Sequence, residues 1–174
     1  MEWKNLVSFV VITVLINSCC VSLLQKKYYT TEYGSNRPKK SKFKFMKTQD
    51  GLVQKFIDEN SVYIKIDSVY GKNPKTGVIE LSITKSYERY FKTGQYIQGT
   101  SEKDSNLALK DYNNLKSGIV GYYKIENNKI LYEYFLVTPQ NCGDYYKAEN
   151  EIIRDSIAGY KRIKIEGLTG TPDW

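Results

Sequence analysis

The sequence contains no histidine, and this absence removes several kinds of chemistry. Nucleophile pairs of the Ser-His and Cys-His types need an imidazole base, and histidine is the commonest protein ligand of transition metals. Cysteine is also scarce, with three residues in the chain. Three thiols make neither a disulfide framework nor a four-ligand metal set. We therefore expect a protein that is not an enzyme and that has no catalytic residue, cofactor or bound metal.

Long apolar runs are scarce too, and the clearest one covers residues 6–16 near the start of the chain. A transmembrane helix needs about 20 apolar residues, so this block spans roughly half of the hydrocarbon layer. Lys4 precedes the block and small or polar residues follow it, which is the pattern of an export signal. We predict a signal helix that is removed, with residues 1–18 as the signal peptide.

The end of this block carries a more specific motif, Ile16-Asn17-Ser18-Cys19. It resembles the lipobox of bacterial lipoproteins, which has an aliphatic residue at position minus three and a small residue before the cysteine. The resemblance implies a lipid anchor on Cys19 and a place in the bacterial cell envelope, on the outer membrane facing the periplasm. A cut before Cys20 fits the motif less well. The alternative is an ordinary secretory signal with incidental cysteines.

The positive charge is concentrated behind this motif. Residues 20–47 contain eight basic residues and one acidic residue, whereas residues 48–174 contain 17 of each. A nucleic-acid-binding domain would show its basic residues on the folded domain, so nucleic acid is not an expected partner. We predict a lipidated cysteine and a basic, flexible tether over residues 19–47, followed by a β domain over residues 48–174. The lysines either attract anionic lipid headgroups or simply keep a linker solvated.

The third cysteine, Cys142, lies in a turn-like run. A bridge between Cys20 and Cys142 is one possibility in an oxidising compartment. A partly buried free thiol is the state that we expect.

Alternation of apolar and polar residues dominates the chain after residue 60. Val62, Ile64 and Ile66 predict one half-buried strand, and Ile79, Leu81 and Ile83 predict the next. Turn-forming residues at positions 71–77 predict a loop between these two strands. Two further strands are expected around a tight turn at residues 92–95, whose Gly94 suits a hairpin.

Residues 122–133 predict a hairpin with a defined register. Asn127 and Asn128 tolerate the positive φ angles of a type I′ turn. A two-residue loop then pairs Ile125 with Ile130 on one face of the hairpin. Residues 144–153 and 156–166 predict two more strands, residues 101–118 predict a short helix, and residues 42–45 predict a strand start. The tail from residue 167 onward is expected to be loose.

These elements predict an all-β fold, an antiparallel meander of about seven strands curled into a barrel or a strongly bent sheet. The sequence from Tyr122 to Ile130 and the strands after it resemble the meanders of small lipocalin-like lipoproteins, although the lipocalin Gly-x-Trp signature is missing. Thirteen of the 16 tyrosines follow residue 48, and we expect them mainly in sheet packing. Glu149 and Glu151 share a strand face, where we expect solvated charges rather than a catalytic pair.

Two functions of different classes follow from this fold. In the first, a non-catalytic, lipid-anchored barrel binds a small apolar ligand inside. In the second, a protein-interaction or inhibitor lipoprotein uses a Tyr-rich sheet face to bind an envelope protein. A filled interior would count against the first, and a surface without an exposed apolar patch would count against the second.

Overall fold

The computed structural model describes residues 27–47, 57–73, 75–102, 107–138 and 141–174. Within these ranges the chain is mostly β-structure with one short helix, as predicted. The predicted signal peptide and Cys19 lie outside the described residues.

The described part of the chain contains ten strands, one α-helix and one 3-10 turn. Strands β1 and β2 form a small separate hairpin, and the other eight strands form one antiparallel sheet in the order β10-β3-β4-β5-β6-β7-β8-β9. The bounds are β1 Tyr28–Thr30, β2 Asn36–Pro38, β3 Ser61–Lys72, β4 Ile79–Tyr90, β5 Gln95–Glu102, α1 Leu109–Tyr112, β6 Ile119–Glu126, β7 Lys129–Leu136, β8 Asp144–Ile153, β9 Ser156–Ile157 and β10 Lys161–Lys164. The two ends of the sheet lie close together in sequence, and the sheet nearly closes into a barrel.

The hairpin of β6 and β7 has the register that its sequence predicts. Ile125 lies opposite Ile130, and the turn residues Asn127 and Asn128 have φ angles of 50° and 62°. Asparagine reaches this left-handed region at lower cost than most residues, so the local sequence is sufficient to form the turn. The predicted turn at residues 92–95 is also present, between β4 and β5, with Gly94 at φ 72°.

The last predicted strand, over residues 156–166, is divided into two short strands. β9 pairs with β8 and β10 pairs with β3, so each belongs to a different end of the sheet. Gly159, at φ 79°, lies in the short connection between them. This break allows the chain to turn from one end of the sheet to the other, which is how the barrel approaches closure.

The sheet packs on both of its faces. One large cluster of tyrosine and isoleucine side chains fills the inside, and smaller clusters lie on the outside. The outer clusters are covered by the N-terminal segment, by α1 and by the C-terminal tail. Successive side chains of a strand point to opposite faces of the sheet. Both faces are buried here only because other parts of the chain cover the outer face.

The prediction of a flexible tether up to residue 47 is wrong for residues 27–47. Phe43 and Phe45 are buried against the outer face of the sheet, next to Tyr122 and Phe135. Arg37 is also buried, and its guanidinium donates hydrogen bonds to the carbonyl oxygens of Gly118 and Leu115, at 2.7 and 3.0 Å. The strand start predicted at residues 42–45 is likewise wrong, because a 3-10 turn, Phe45–Lys47, follows an irregular stretch.

Three further expectations need correction or refinement. The tail is docked, because the main-chain oxygen of Trp174 accepts hydrogen bonds from Gln95 Nε2 and Tyr122 Oη, both at 2.8 Å. Cys142 is disulfide-bonded, so the expectation of a free thiol is wrong. The helix α1 is one turn long and is capped by the main chain of Ala108, which accepts from Asp111 N at 2.9 Å.

Candidate functional site

The inside of the barrel is occupied mainly by tyrosine rings. Tyr63, Tyr90, Tyr96, Tyr123 and Tyr132 are buried there with ring centroids between 4.9 and 6.5 Å apart in the contacting pairs. Most of these contacts are edge-to-face or tilted, a geometry that adds attraction to the burial of area. The expectation that tyrosine serves sheet packing is confirmed for these residues.

A carboxyl group, Glu88, lies among these rings. Tyr90 Oη and Tyr132 Oη donate to Glu88 Oε2, the latter at 3.3 Å, and Tyr160 Oη donates to Oε1 at 2.9 Å. Three hydroxyl groups from β4, β7 and the β9–β10 connection therefore satisfy one carboxyl group on β4. The arrangement joins three parts of the barrel by hydrogen bonds.

Burial and hydrogen bonding act on Glu88 in opposite directions. Burial raises the pKa of Glu88, while the hydroxyl hydrogen bonds and the charge of Lys65 lower it, and the net shift is upward. The pKa of Tyr90 rises well above its ordinary value, because of its burial and the neighbouring carboxyl group. At physiological pH these tyrosines therefore remain hydroxyl donors and not phenolate bases.

A pocket of about 200 Å³ opens at one end of this cluster. Its lining residues come from the β4–β5 turn, the segment before β3 and the inner tyrosines: Ile57, Asp58, Glu59, Asn60, Tyr90, Phe91, Lys92 and Tyr123. Sites for small ligands usually start near 300 Å³. This pocket is therefore small for a drug-sized ligand, and the neighbouring interior is occupied by side chains.

The strands β3 and β4 extend well beyond the barrel as a two-stranded ribbon. We use "the ribbon" for residues 66–72 of β3, residues 79–83 of β4 and the turn between them. β10 pairs with β3 only at residues 61–64, and β5 pairs with β4 only from residue 84 onward. At about 3.3 Å per residue the ribbon projects roughly 20 Å from the barrel.

One face of the ribbon is apolar and exposed. Tyr70 lies opposite Leu81, and Ser68 lies opposite Ile83. Tyr70, Ile79 and Ile66 are 75%, 71% and 62% exposed. This face continues the outer stripe of Val62 and Ile64, which is buried under α1 and the tail. The apolar stripe is therefore covered on the barrel and continues uncovered along the ribbon.

Charge differs between the two faces of the ribbon. Lys72 lies on the apolar face, and Lys85 lies on the same face just below the ribbon, opposite Ile66. Neither forms a salt bridge with a described residue. Asp67 and Glu80 lie on the opposite face, where Asp67 Oδ1 pairs with Lys65 Nζ at 3.0 Å. The apolar face therefore carries positive charge only.

The outer edge of β3 is open along the ribbon. In the described part of the chain, no strand pairs with this edge beyond Ile64. Its main-chain N–H and C=O groups face solvent, and such an edge is able to accept an added strand. An open edge beside an apolar face makes the ribbon the candidate functional site.

The residues singled out from the sequence fall elsewhere. Cys19 lies outside the described residues. Glu149 and Glu151 are exposed on β8, and Glu149 Oε1 pairs with Lys129 Nζ at 2.6 Å, which fits solvated charges. The described residues contain no group of three potential metal ligands. Among the described helices none has both the length and the hydropathy required to cross a membrane.

Comparison with known proteins gives no relative. No family model, no curated protein and no solved structure matches the chain.

Sequence reasoning missed both the buried carboxyl group inside the barrel and the exposed ribbon. Glu88 stands in the segment Ser86-Tyr87-Glu88-Arg89-Tyr90, where a charged residue between tyrosines is typical of a surface strand. The residues Ile79, Leu81 and Ile83 were expected to be half-buried, yet Ile79 and Leu81 are exposed. The length of β3 and β4, 12 residues each against eight in β5, is the signal that could have indicated a projecting ribbon.

Proposed function

We propose that this protein is a lipid-anchored protein of the bacterial cell envelope that binds an extended segment of another envelope protein along the ribbon. The segment adds as a strand to the open edge of β3. The proposal assigns no catalytic role to the domain. The single observation that supports it best is the exposed apolar face of the ribbon beside an unpaired strand edge.

The chemistry of the ribbon defines the partner. Strand addition supplies main-chain hydrogen bonds, and alternate side chains of the added strand then lie beside Ile66 and Tyr70. Lys72 and Lys85 on the same face favour acidic side chains. The partner segment is therefore an extended stretch in which apolar and acidic residues alternate with polar ones.

The ribbon differs from the Tyr-rich recognition face that the sequence predicts. Most tyrosines of the β domain are buried in the described structure, and the exposed face of the ribbon is mainly aliphatic, with Tyr70 as its aromatic residue. The interaction function is kept, but its surface is the ribbon.

Amide hydrogen exchange with synthetic peptides tests the proposed surface. The full chain is mixed with a nine-residue peptide whose odd positions carry isoleucine and glutamate and whose even positions carry serine, or with the counterpart that has lysine in place of glutamate. We expect the acidic peptide to protect the amides of residues 66–72 and the basic peptide to give at least tenfold weaker binding. Leu81→Lys should abolish the protection.

The matched control for Leu81→Lys is Ile153→Lys, which also alters an exposed apolar residue, on β8. It should leave the protection unchanged. Protection that is absent, or equal with both peptides, would overturn the proposal. Protection that appears without peptide as the protein concentration increases would instead identify a second copy of this chain as the partner.

The lipid anchor is tested separately by the mass of the mature protein. Wild type should carry acyl mass on a chain that begins at Cys19, and Cys19→Ser should carry none. An unmodified wild-type chain would end the anchoring part of the proposal and leave the ribbon part untouched.

Binding of a small apolar ligand in the barrel remains the alternative. It is supported by the barrel-like fold and by the pocket of about 200 Å³ beside Tyr90 and Tyr123. Mass spectrometry of the protein under native conditions distinguishes the two proposals, because a bound ligand adds a defined mass that denaturation releases.

A further inference from the structure

We propose that a basic pocket on the outer face of the barrel binds the phosphate group of an anionic phospholipid. The pocket, which we call the lysine pocket, has a volume of about 370 Å³. The N-terminal segment forms one side and the β7–β8 region forms the other. Its lining residues are Lys27, Lys39, Lys40, Lys42, Phe135, Gly143, Asp144 and Tyr145.

Defined contacts hold the lysines around this pocket. β1 and β2 pair, and beyond them Lys39 N donates to Lys27 O at 2.9 Å, so the two ends of the hairpin lie side by side. Tyr145 Oη donates to Lys40 O at 3.0 Å and accepts from Lys42 N at 3.1 Å. The backbone that carries the lysines is thus fixed to β8.

The floor of the lysine pocket is apolar. The rings of Phe135 and Tyr145 meet there with centroids 5.3 Å apart. Gly143 has φ 100°, and a Cβ added to it would lie 2.4 Å from Phe135 Cζ. Glycine at this position permits both the turn and the close approach to the ring. The pocket therefore combines a compact apolar floor with a charged rim.

The rim carries an excess of positive charge. None of the four lysines forms a salt bridge with a described residue. Among the described lining residues Asp144 is the one acidic residue, and its Oδ1 accepts from Tyr145 N at 2.8 Å. A concave surface lined by charge of one sign concentrates ions of the opposite sign. An anion with several acceptor oxygens, such as a phosphate group, is the matching ligand.

The apolar floor and the position of the pocket favour a lipid phosphate over a free one. A free phosphate ion gains nothing from Phe135 and Tyr145, whereas the glycerol and upper acyl carbons of a phospholipid can contact them. Lys27 is eight residues from Cys19, so the chain between them spans at most about 28 Å. This second argument rests on the proposed lipid anchor, which would keep the pocket close to a membrane surface.

Lysine reactivity in lipid nanodiscs tests the proposal with the full chain. The protein is reconstituted in phosphatidylcholine discs, with or without phosphatidylglycerol, and an amine-reactive reagent labels exposed lysines. With phosphatidylglycerol we expect the labelling of the four lysines of the pocket, Lys27, Lys39, Lys40 and Lys42, to slow by about fivefold or more. Lys161 and Lys164, exposed on β10, should change by less than about twofold.

Charge reversal provides the matched pair of variants. Lys39→Glu with Lys42→Glu should remove the protection of Lys27 and Lys40, whereas Lys161→Glu with Lys164→Glu should leave it intact. These side chains are exposed, so both double variants should fold.

Each other outcome has a defined meaning. Equal protection of all surface lysines by phosphatidylglycerol, or loss of protection in both double variants, would overturn the pocket. Full protection by glycerol phosphate added to phosphatidylcholine discs would show a site for free phosphate and overturn the choice of lipid. Protection by phosphatidylglycerol in a chain that carries no acyl mass would sustain the pocket while the proposed anchor fails.

Discussion

Glu88 shows how one residue can couple the packing of the barrel to pH. Its carboxyl group is buried and receives three tyrosine hydroxyl groups. Each hydroxyl hydrogen bond favours the ionised form, but the loss of hydration disfavours it more, so the pKa of Glu88 rises above its ordinary value of 4.5. The native state therefore retains this proton to a higher pH than the unfolded chain does.

We predict that Glu88→Gln flattens the pH dependence of stability. Glu88 has a higher pKa in the native protein than in the unfolded chain. Between these two pKa values the unfolded chain binds fewer protons than the native protein, so the free energy of unfolding falls as pH rises. The slope reaches at most about 1.4 kcal/mol per pH unit. Glutamine cannot lose a proton, so the variant should lack this fall in urea unfolding measured from pH 4 to 8. Exposed Glu151→Gln is the control, and an unchanged slope in Glu88→Gln would refute the argument.

Arg37 is the residue that attaches the N-terminal segment to the barrel. We predict that Arg37→Met lowers the free energy of unfolding by about 3 kcal/mol, because it leaves two carbonyl oxygens without their donor, at about 1–3 kcal/mol each. Urea unfolding measures the change. Exposed Lys44→Met in the same segment should change stability by less than about 0.5 kcal/mol. A similarly small effect of Arg37→Met would mean that the segment is a tether after all.

At the scale of elements, the local sequence predicts turns well, but it predicts poorly which segments pack over the outer face of the sheet. Asn127-Asn128 specifies its hairpin because two adjacent residues supply the positive φ angles and the flanking strands need nothing further. The sequence predicts the N-terminal segment and the tail to be loose because the residues that they contact are far away in sequence. Arg37 bonds to Gly118 and Trp174 bonds to Tyr122, and no periodicity near either residue indicates those contacts.

The ribbon is a second case in which the sequence does not show whether a face of the sheet is covered. Alternation predicted the strands around Ile64 and Leu81 correctly, but alternation reports which side chains share a face and not whether that face is covered. β10 and β5 end before the strands do, so burial stops partway along β3 and β4. The candidate site therefore appeared in the sequence as ordinary core.

We predict that the ribbon contributes little to stability. Tyr70→Ser and Leu81→Ser should each change the free energy of unfolding by less than about 1 kcal/mol, because both side chains are exposed. Ile97→Ala, in the buried outer layer of β5, should cost about 2–5 kcal/mol. The comparison uses urea unfolding under one set of conditions. A cost for Leu81→Ser as large as that for Ile97→Ala would show that the ribbon face is covered in solution.

For the whole molecule, the three cysteines connect the proposed anchor to the folded domain. Cys142 is disulfide-bonded, and the chain contains only two other cysteines, Cys19 and Cys20. A diacylglyceryl group joined to the sulfur of Cys19 by a thioether would exclude that residue from a disulfide. If the lipid anchor is correct, Cys20 is the partner of Cys142, and the anchor is covalently tied to the β7–β8 loop beside the lysine pocket.

This assignment gives a prediction that separates the two cysteines. In native protein Cys142 should not react with a maleimide. Cys20→Ser should expose one reactive thiol at Cys142 and lower stability by about 2–5 kcal/mol, with the acyl mass retained. Cys19→Ser should lose the acyl mass and leave Cys142 bonded. Peptide mapping without reductant measures both the bonding state of Cys142 and the acyl mass. If Cys19→Ser instead frees Cys142, then Cys19 is the disulfide partner, and lipidation at that residue is ruled out by the same experiment.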